Sequence, residues 1–183
     1  MSAPDPSHSR GLVATPEPLS GPVTYHVPTI RDGAEMWRLA RDSQALDLNS
    51  PYMYLLGASH FAETSIVARA GDSTVGFGFG YRRPDSPDTL FVWQIAVAPP
   101  WRGCGIAQAM LTELTNRLRP AGCRFLEATV TPDNRPSAAL FTGFARALGL
   151  PLDNRTVLFS DRDFPAGTPH QPEVLYRIGP FPA

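Results

Sequence analysis

The pattern of apolar and polar residues predicts a chain in which strands and helices alternate. Short apolar runs bounded by turn residues are typical of strands, and apolar residues that recur at every third or fourth position are typical of helices. By this rule, strands are expected at 25–27, 66–69, 75–81, 90–97, 125–130, 156–159 and 174–178.

Helices are expected between these strands, from the same pattern and from capping residues. Asp32 can cap a first helix, and the aromatic-rich segment 52–62 predicts a second, short one. A third helix begins at Gly105, and a fourth follows Asp133 or Asn134. The residues expected to face the core are Met36, Leu39, Ala40 and Ser43 in the first helix, Ile106, Met110, Leu114 and Leu118 in the third, and Ala139, Leu140, Phe144 and Leu148 in the fourth.

The order of these elements predicts an α/β fold with a mixed central sheet flanked by helices. Six of the twenty prolines lie between Pro4 and Pro28, among serine, glycine and threonine. Such a segment buries too little apolar area to offset the entropy lost on ordering. We therefore expect a disordered Pro/Ser-rich tail at 1–24 and one folded domain at 25–183.

Composition excludes several functional classes and leaves a soluble cytoplasmic protein as the expectation. The formal net charge of −1 gives no electrostatic case for binding nucleic acid or an anionic membrane. No apolar run approaches the roughly 20 residues of a membrane-spanning helix. Cys104 and Cys123 show neither metal-ligand spacing nor a disulfide framework, so no metal is expected.

The most informative segment is the turn between the strand at 90–97 and the third helix. It reads Arg102-Gly103-Cys104-Gly105-Ile106-Ala107. Glycines allow a ligand to approach the backbone closely, and the first-turn N–H groups of a helix can donate to an anion. A buried strand that ends in such a turn indicates a phosphate-binding site, although the same pattern can also be a plain tight turn.

This turn resembles the acyl-CoA signature of the GNAT N-acetyltransferases. Longer sequence blocks elsewhere in the chain resemble one branch of that superfamily. Over about 29–178 the chain is similar to the diaminobutyrate acetyltransferases, the branch of that superfamily that serves ectoine synthesis. The blocks that carry the similarity are Asp47-Leu48-Asn49-Ser50-Pro51-Tyr52, Asp88-Thr89-Leu90-Phe91-Val92-Trp93-Gln94, Thr129-Val130-Thr131-Pro132-Asp133-Asn134 and Glu173-Val174-Leu175-Tyr176-Arg177-Ile178.

The resemblance implies the GNAT acyl-CoA N-acyltransferase fold and transfer of acetyl from acetyl-CoA to the 4-amino group of L-2,4-diaminobutyrate. It also implies a homodimer and a reaction without a metal. The residues expected to bind acetyl-CoA are Ile95, Val97, Arg102, Gly103, Cys104, Gly105, Ile106, Ala107 and Asn134. Those expected to bind the substrate are Asp47, Tyr52, Trp93 and Glu173, with Tyr54 and His60 as further pocket candidates.

The substrate amine must lose a proton before it attacks, and Glu127 is the predicted catalytic base. An acid inside an apolar strand is rarely without a task, although alternate strand residues can also face solvent. Asn134 can be a ligand or simply a helix N-cap, and Arg82 can meet a carboxylate or be a surface residue. Phe141 stands where many GNAT enzymes carry a proton-donating tyrosine, so the donor to the leaving thiolate is left open.

Two other functions are compatible with the same turn. One is a GNAT enzyme for a different amine, such as a polyamine, an antibiotic or a protein N-terminus. The other is an acyl-CoA sensor without catalysis. The acids Asp47, Glu127 and Glu173 favour an enzyme over a sensor.

Overall fold

A computed structural model of the chain describes residues 22–44, 46–168 and 170–182. The predicted tail at 1–24 lies outside these ranges except for its last three residues. Within the described residues there are seven strands and four α-helices. They are β1 Val23–His26, α1 Gly33–Ser43, α2 Pro51–Ser59, β2 Ile66–Ala70, β3 Ser73–Arg83, β4 Ser86–Val97, α3 Ile106–Leu118, β5 Phe125–Val130, α4 Arg135–Leu148, β6 Leu152–Phe159 and β7 Glu173–Ile178.

All seven strands belong to one sheet, in the order β1-β2-β3-β4-β5-β7-β6. The β4–β5 pair is parallel and the other pairs are antiparallel. One face packs against α3 and α4, which bury Met110, Leu114 and Phe144 against the strands. On the other face Met36 of α1 and Tyr54 of α2 pack against β2 and β3. The predicted mixed sheet with flanking helices is confirmed.

Two strands begin earlier in the structure than the sequence predicts. β1 begins at Val23, two residues before the predicted domain start. β4 begins at Ser86 instead of Leu90, because Arg83 pairs with Ser86 and the hairpin needs only two residues to turn. Pro87 and Asp88 belong to β4, because prolines and aspartates at a hairpin end do not prevent strand pairing.

The predicted core face of α4 was partly wrong. Phe144 is buried as expected, but Ala139 and Leu148 are exposed. The buried stripe instead consists of Phe141, Phe144 and Ala145. Leu148 is the last residue of the helix, and the helical period places Ala139 on the side opposite to this stripe.

β4 and β5 pair over only three residues before they separate. Thr89, Leu90 and Phe91 lie beside Phe125, Leu126 and Glu127, and no pairing follows. Among the residues that the structure describes, no strand therefore pairs with the second half of β4, from Val92 to Val97, on the β5 side. A strand edge without a neighbour presents free backbone N–H and C=O groups. This gap positions the candidate site described below.

In the part of the chain that the structure describes, none of the helices has both the length and the apolar character that a membrane crossing requires.

A buried carboxylate anchors the start of α1, and its loss should destabilise the fold. Asp32 accepts hydrogen bonds from the Thr29 N–H at 2.7 Å and hydroxyl at 3.0 Å, and it pairs with Arg69. Burial alone would raise the pKa of Asp32, but these bonds outweigh it and leave the pKa below its usual value. An Asp32→Asn variant should unfold in urea with about 1–2 kcal/mol less stability at pH 7, because Arg69 loses its partner.

The sign of the pH dependence follows from the lowered pKa. The stabilisation by Asp32 is complete above the ordinary carboxyl pKa of about 4 and is lost as the pH falls through the folded-state value. The difference between wild type and Asp32→Asn should therefore disappear in acid. Asp42→Asn, which removes an exposed partner of Arg41, is the control and should leave stability unchanged. A pH-independent difference would contradict the assignment.

Candidate functional site

The turn before α3 has the conformation that a backbone anion site requires. Gly103 and Gly105 have φ of +77° and +78°, in the left-handed region that favours glycine. A Cβ built on either glycine would meet no atom within 4 Å, so the space in front of the turn is open. A ligand can thus reach the backbone here.

The first turn of α3 also supplies unpaired donors. The first backbone bond of the helix runs from the Ala109 N–H to the Gly105 carbonyl at 3.0 Å. The N–H groups of Ile106, Ala107 and Gln108 precede it and have no intrahelical acceptor. They converge with the positive end of the helix dipole on the space before Gly105, which suits a phosphate.

The Arg102 side chain braces this turn. Its Nε donates to the Val97 carbonyl at 3.1 Å and its Nη2 to the Ser43 carbonyl at 3.3 Å, which ties the turn to the ends of β4 and α1. The Cys104 thiol is exposed and lies 3.8 Å from the Arg102 carbonyl oxygen. The Arg102 side chain is therefore occupied by protein carbonyls, and what Arg102 and Cys104 offer a ligand at this turn is their main chain.

An apolar cavity of about 390 Å³ extends from this turn along the free edge of β4. Ile95 and Val97 line it on one side, and Leu140 of α4 lines it on the other. Asn134 also lines it, while its side-chain oxygen caps α4 by accepting from the Ser137 N–H at 3.1 Å. The two interpretations of Asn134 are therefore compatible, and the cavity suits a long, thin ligand with an apolar arm.

A second, polar cavity of about 620 Å³ adjoins the first. The two share Leu46, Asn134 and Pro136 in their walls. Trp93 enters the polar cavity from a β-bulge in β4. Phe79 of β3 pairs with Gln94 and Gly80 pairs with Val92, so Trp93 is the extra residue. Bulges re-aim side chains in this way, and Trp93 is 43% exposed.

Three ionisable side chains converge in the polar cavity. The His170 Nε2 lies 3.7 Å from the Asp47 Oδ2 and 3.8 Å from the Glu173 Oε1. The other ring nitrogen, Nδ1, lies 2.6 Å from the Gln171 carbonyl oxygen, which can only accept, so Nδ1 carries a proton. In the neutral ring Nε2 is then an acceptor. The Asp47 side chain is 94% exposed and that of Glu173 is 18% exposed. The three side chains therefore extend from the mouth of the cavity into its interior.

The comparisons with known proteins agree with this geometry. The model of the Acetyltransferase (GNAT) family matches residues 33–144, from the start of α1 to the middle of α4. The chain belongs to the GNAT acetyltransferase family.

Relatives of this GNAT protein carry a more specific name. An L-2,4-diaminobutyric acid acetyltransferase from Streptomyces coelicolor is 54% identical over 85% of this chain and 92% of its own length. One from Virgibacillus pantothenticus is 45% identical over 85% and 96%. The diaminobutyrate acetyltransferase EctA from Paenibacillus lautus, solved with L-2,4-diaminobutyric acid and coenzyme A, is 45% identical, covers 88% of this chain and 96% of its own, and has a TM-score of 0.83.

Glu127, the predicted catalytic base, lies outside the walls of both cavities of this GNAT protein. Its side chain is 1% exposed, and its Oε2 accepts from the Arg83 Nη1 at 2.8 Å. Its Oε1 pairs with Arg177, whose guanidinium lies 3.9 Å from the centre of the Phe125 ring. The hydrogen bonds that Arg83 donates to the carboxylates of Asp85 and Glu127 raise the pKa of its guanidinium. Both Glu127 oxygens are thus engaged, and its role as a base stays a prediction that this geometry does not favour.

The aromatic and basic candidates from α2 do not reach the cavities. Tyr52 is an exposed residue in the first turn of α2, and His60 is exposed just after its end. Tyr54 is fully buried beneath the site and donates to Gln94 at 2.9 Å. The substrate role of Tyr52 remains a prediction, and Tyr54 is a supporting residue of the core.

Two further candidates are structural. Arg82 donates to the carbonyls of Pro87 at 2.8 Å and Ala121 at 3.1 Å, so it joins the β3–β4 hairpin to the segment after α3. Phe141 is buried, and its ring centre lies 6.2 Å from that of Tyr176. No tyrosine lines either cavity among the described residues, so the donor to the thiolate stays open.

Sequence analysis missed His170 and Thr129 as site residues. Both line the polar cavity, one from the loop before β7 and the other from β5. The chain has only four histidines, so testing each of them as a proton acceptor would have raised His170 as a candidate. No local pattern marks Thr129, because its place depends on where β4 and β5 separate.

The described ranges, 22–44, 46–168 and 170–182, contain no group of three or more histidine, cysteine, aspartate or glutamate side chains arranged to hold a metal ion.

Proposed function

We propose that the protein transfers the acetyl group of acetyl-CoA to the 4-amino group of L-2,4-diaminobutyrate. The product, N4-acetyl-L-2,4-diaminobutyrate, is the precursor that cyclises to the compatible solute ectoine. The observation that carries the proposal is the acid-rich cavity of Asp47 and Glu173, which shares a wall with the apolar cavity beside the Gly105 turn. Relatives that cover most of this chain bear the name of this activity.

The CoA half of the site is built from backbone. The turn at 102–107 fits the pyrophosphate, because its donors are free and its glycines leave the space before them open. The pantetheine arm is extended and amide-bearing, so the free edge of β4 at Ile95 and Val97 can pair with it as a neighbouring strand would. The ends of the two cavities meet at Leu46 and Asn134, where the thioester and the amine come together.

The polar cavity, where the acetyl acceptor would bind, is suited to an amino acid that carries two ammonium groups. Asp47, Asp133 and Glu173 line the polar cavity, and no arginine does so within the described residues. A cavity with this charge balance attracts ammonium groups. The carboxylate of the substrate is then met by neutral donors, for which the Thr129 hydroxyl and the Trp93 indole N–H are placed.

The reaction moves one acetyl group and one net proton. The ammonium gives up a proton to a base, and the free amine attacks the carbonyl carbon, forming the C–N bond. A backbone N–H near Ile95 stabilises the oxyanion. The C–S bond then breaks, and the CoA thiolate takes up a proton as the amide nitrogen loses one.

We assign the base to His170, and its replacement should lower kcat. The His170 Nε2 is a free acceptor between two carboxylates, which stabilise the imidazolium that forms. A His170→Gln variant should lose about 100-fold in kcat at pH 7.5, a usual size for a lost general base. Activity should return as the pH approaches the amine pKa of roughly 10, because the substrate then loses its proton unaided.

Two further variants test whether the base is His170 or Glu127. His26→Gln, on the edge strand β1, is the matched control and should behave as wild type at every pH. Glu127→Gln should lower stability, because two guanidinium groups lose a charged partner, without showing alkaline recovery of kcat. If Glu127→Gln recovers at alkaline pH and His170→Gln does not, the base is Glu127.

Thiol release with a panel of amines tests the proposed function itself. The panel consists of L-2,4-diaminobutyrate, ornithine, 1,3-diaminopropane and an N-terminal peptide. Diaminobutyrate should exceed 1,3-diaminopropane, which differs only by the missing carboxylate, by about 100-fold in kcat/KM or more. Preference for another amine would indicate a different GNAT enzyme. CoA binding without turnover would indicate a sensor.

The same proposal includes a homodimer that works in the cytoplasm, where acetyl-CoA is available. β6 is an edge strand of eight residues with Val157 and Phe159 exposed. An edge strand of this length is a template for pairing with another chain, and a second copy would cover its exposed valine and phenylalanine. Light scattering after size-exclusion chromatography should give twice the chain mass. A monomer would contradict the dimer and leave the reaction proposal intact.

A further inference from the structure

A buried glutamine joins the bulge of β4 to the loop that carries Asp47. Gln94 follows the bulge residue Trp93 and is buried, with 4% of the residue exposed. Its Nε2 donates to the Asp47 carbonyl at 2.7 Å, and its Oε1 accepts from the Tyr54 hydroxyl at 2.9 Å. These three residues are separated by up to 47 positions in sequence, so the contacts are tertiary.

The chemistry of the partners fixes the orientation of the amide. The Asp47 carbonyl oxygen can only accept, so it must face the amide NH2 group, which leaves the amide oxygen toward Tyr54. Tyr54 is itself immobilised, because it is fully buried and its ring lies edge-on to Phe77 with centres 6.0 Å apart. The amide therefore holds a single orientation, and that orientation acts on the main chain of Asp47.

Among the described residues of the loop after α1, few other contacts restrain Asp47. Residues 47–50 form no helix or strand. The Asp47 side chain is 94% exposed and lies 3.7 Å from the His170 Nε2. A further contact to its carbonyl comes from the Asn49 amide at 3.5 Å, within the same loop. The bond from Gln94 ties the loop directly to the sheet.

We infer that Gln94 is a positioning residue for the acceptor, holding the Asp47 backbone so that its carboxylate faces His170 and Glu173. Tyr54 keeps the Gln94 amide in the orientation that makes this bond. The inference rests on the proposed function, because it assumes that Asp47 binds the amino-acid substrate. It adds to that function a physical connection between two parts of the cavity. Gln94 follows the bulge that turns Trp93 into the cavity, and its amide holds the main chain of Asp47.

A double-mutant cycle separates this role from a general structural one. Gln94→Met keeps the size of the side chain and removes both hydrogen bonds. It should raise KM for diaminobutyrate about tenfold and change KM for acetyl-CoA by less than about twofold. In the Asp47→Ala background the same substitution should have almost no further effect on KM, because the group that it positions is gone.

Two further variants keep the test informative if Gln94→Met folds poorly. Gln94→Glu retains the acceptor for Tyr54 and replaces the donor to Asp47, so it should raise KM as Gln94→Met does. Tyr54→Phe frees the Gln94 amide and should give a smaller increase in KM. Tyr81→Phe, at a partly buried tyrosine of β3 that does not contact Gln94, should give none. An equal KM increase with and without Asp47 would overturn the inference, because Gln94 would then act on the substrate directly.

Hydrogen–deuterium exchange gives a readout that does not depend on turnover. In Gln94→Met, exchange over residues 46–50 should accelerate, while exchange in α3 stays as in wild type. If the wild type fails to acetylate diaminobutyrate, the proposed function fails, and the exchange experiment still tests the positioning of the loop. Unchanged exchange over 46–50 would overturn the inference whatever the substrate is.

Discussion

A Gly105→Trp variant is expected to lose acetyl-CoA binding by about 100-fold or more. Gly105 has φ of +78°, and a side chain there projects into the open space before the first turn of α3. An indole in that space displaces the pyrophosphate from at least two charge-assisted hydrogen bonds, each worth roughly 1.5 kcal/mol. Calorimetry with CoA and the KM for acetyl-CoA measure the loss.

Gly71→Trp is the matched control for this substitution. Gly71 also has a positive φ of +56° with nothing within 4 Å, and it lies in the turn between β2 and β3. Both variants should lose similar stability from the strained backbone, and only Gly105→Trp should lose CoA. Normal CoA affinity in Gly105→Trp would refute the assignment of the turn.

An Asp47→Ala variant is expected to raise KM for diaminobutyrate at least about tenfold, with acetyl-CoA binding close to wild type. The carboxylate faces the polar cavity opposite Glu173, where it can accept from the α-ammonium of the substrate. Its exposure moderates the effect, because solvent screens the charge. Steady-state kinetics with each substrate varied in turn separate the two constants.

The substrate itself offers the control for Asp47. 4-Aminobutyrate keeps the carboxylate and the reacting amine of diaminobutyrate and lacks the α-amine. If Asp47 binds the α-ammonium, Asp47→Ala should leave the kinetics with 4-aminobutyrate unchanged. Asp161→Asn, an exposed acid outside the cavity, should behave as wild type with both amines. Loss of CoA binding in Asp47→Ala would instead assign the residue a structural task.

The parts of the fold that could be predicted are those in which local sequence carries the whole signal. The strand at 125–130 and the helix after Gly105 were placed correctly, because each has a strong period and a clear end. The cap of α4 was predicted at Asp133 or Asn134, and the structure places it at Asn134, before the proline in the first turn. The phosphate turn also lies within six consecutive residues, so its chemistry could be inferred before its geometry was known.

The acceptor site could be predicted only in part, because it is assembled from distant segments. Asp47, Trp93 and Glu173, the substrate-binding residues that the family resemblance implied, line one cavity, and their binding of substrate stays a prediction. Nothing local indicates that β4 and β5 separate after Phe91, and that separation is what opens the site. The roles proposed for His170 and Gln94 depend on contacts across the cavity, which a single sequence does not encode in any spacing.

The burial of Glu127 could be predicted from the sequence, but its ion-pair partners could not. An acid within an apolar strand does signal a buried charge, and the carboxylate is buried. The sequence did not show that Arg83 and Arg177, from two other strands, would meet its two oxygens. A buried acid can be a base or an ion-pair partner, and the choice depends on tertiary neighbours.

The position of the new amide bond is the most direct test of the proposed function. Purified protein is mixed with acetyl-CoA labelled with carbon-13 at the carbonyl and with L-2,4-diaminobutyrate, and the product is followed by two-dimensional NMR. Transfer to the 4-amino group gives a single amide whose labelled carbonyl couples to the N–H next to the C4 methylene. Acetylation at the α-nitrogen, or no labelled amide under conditions in which CoA binds, would contradict it.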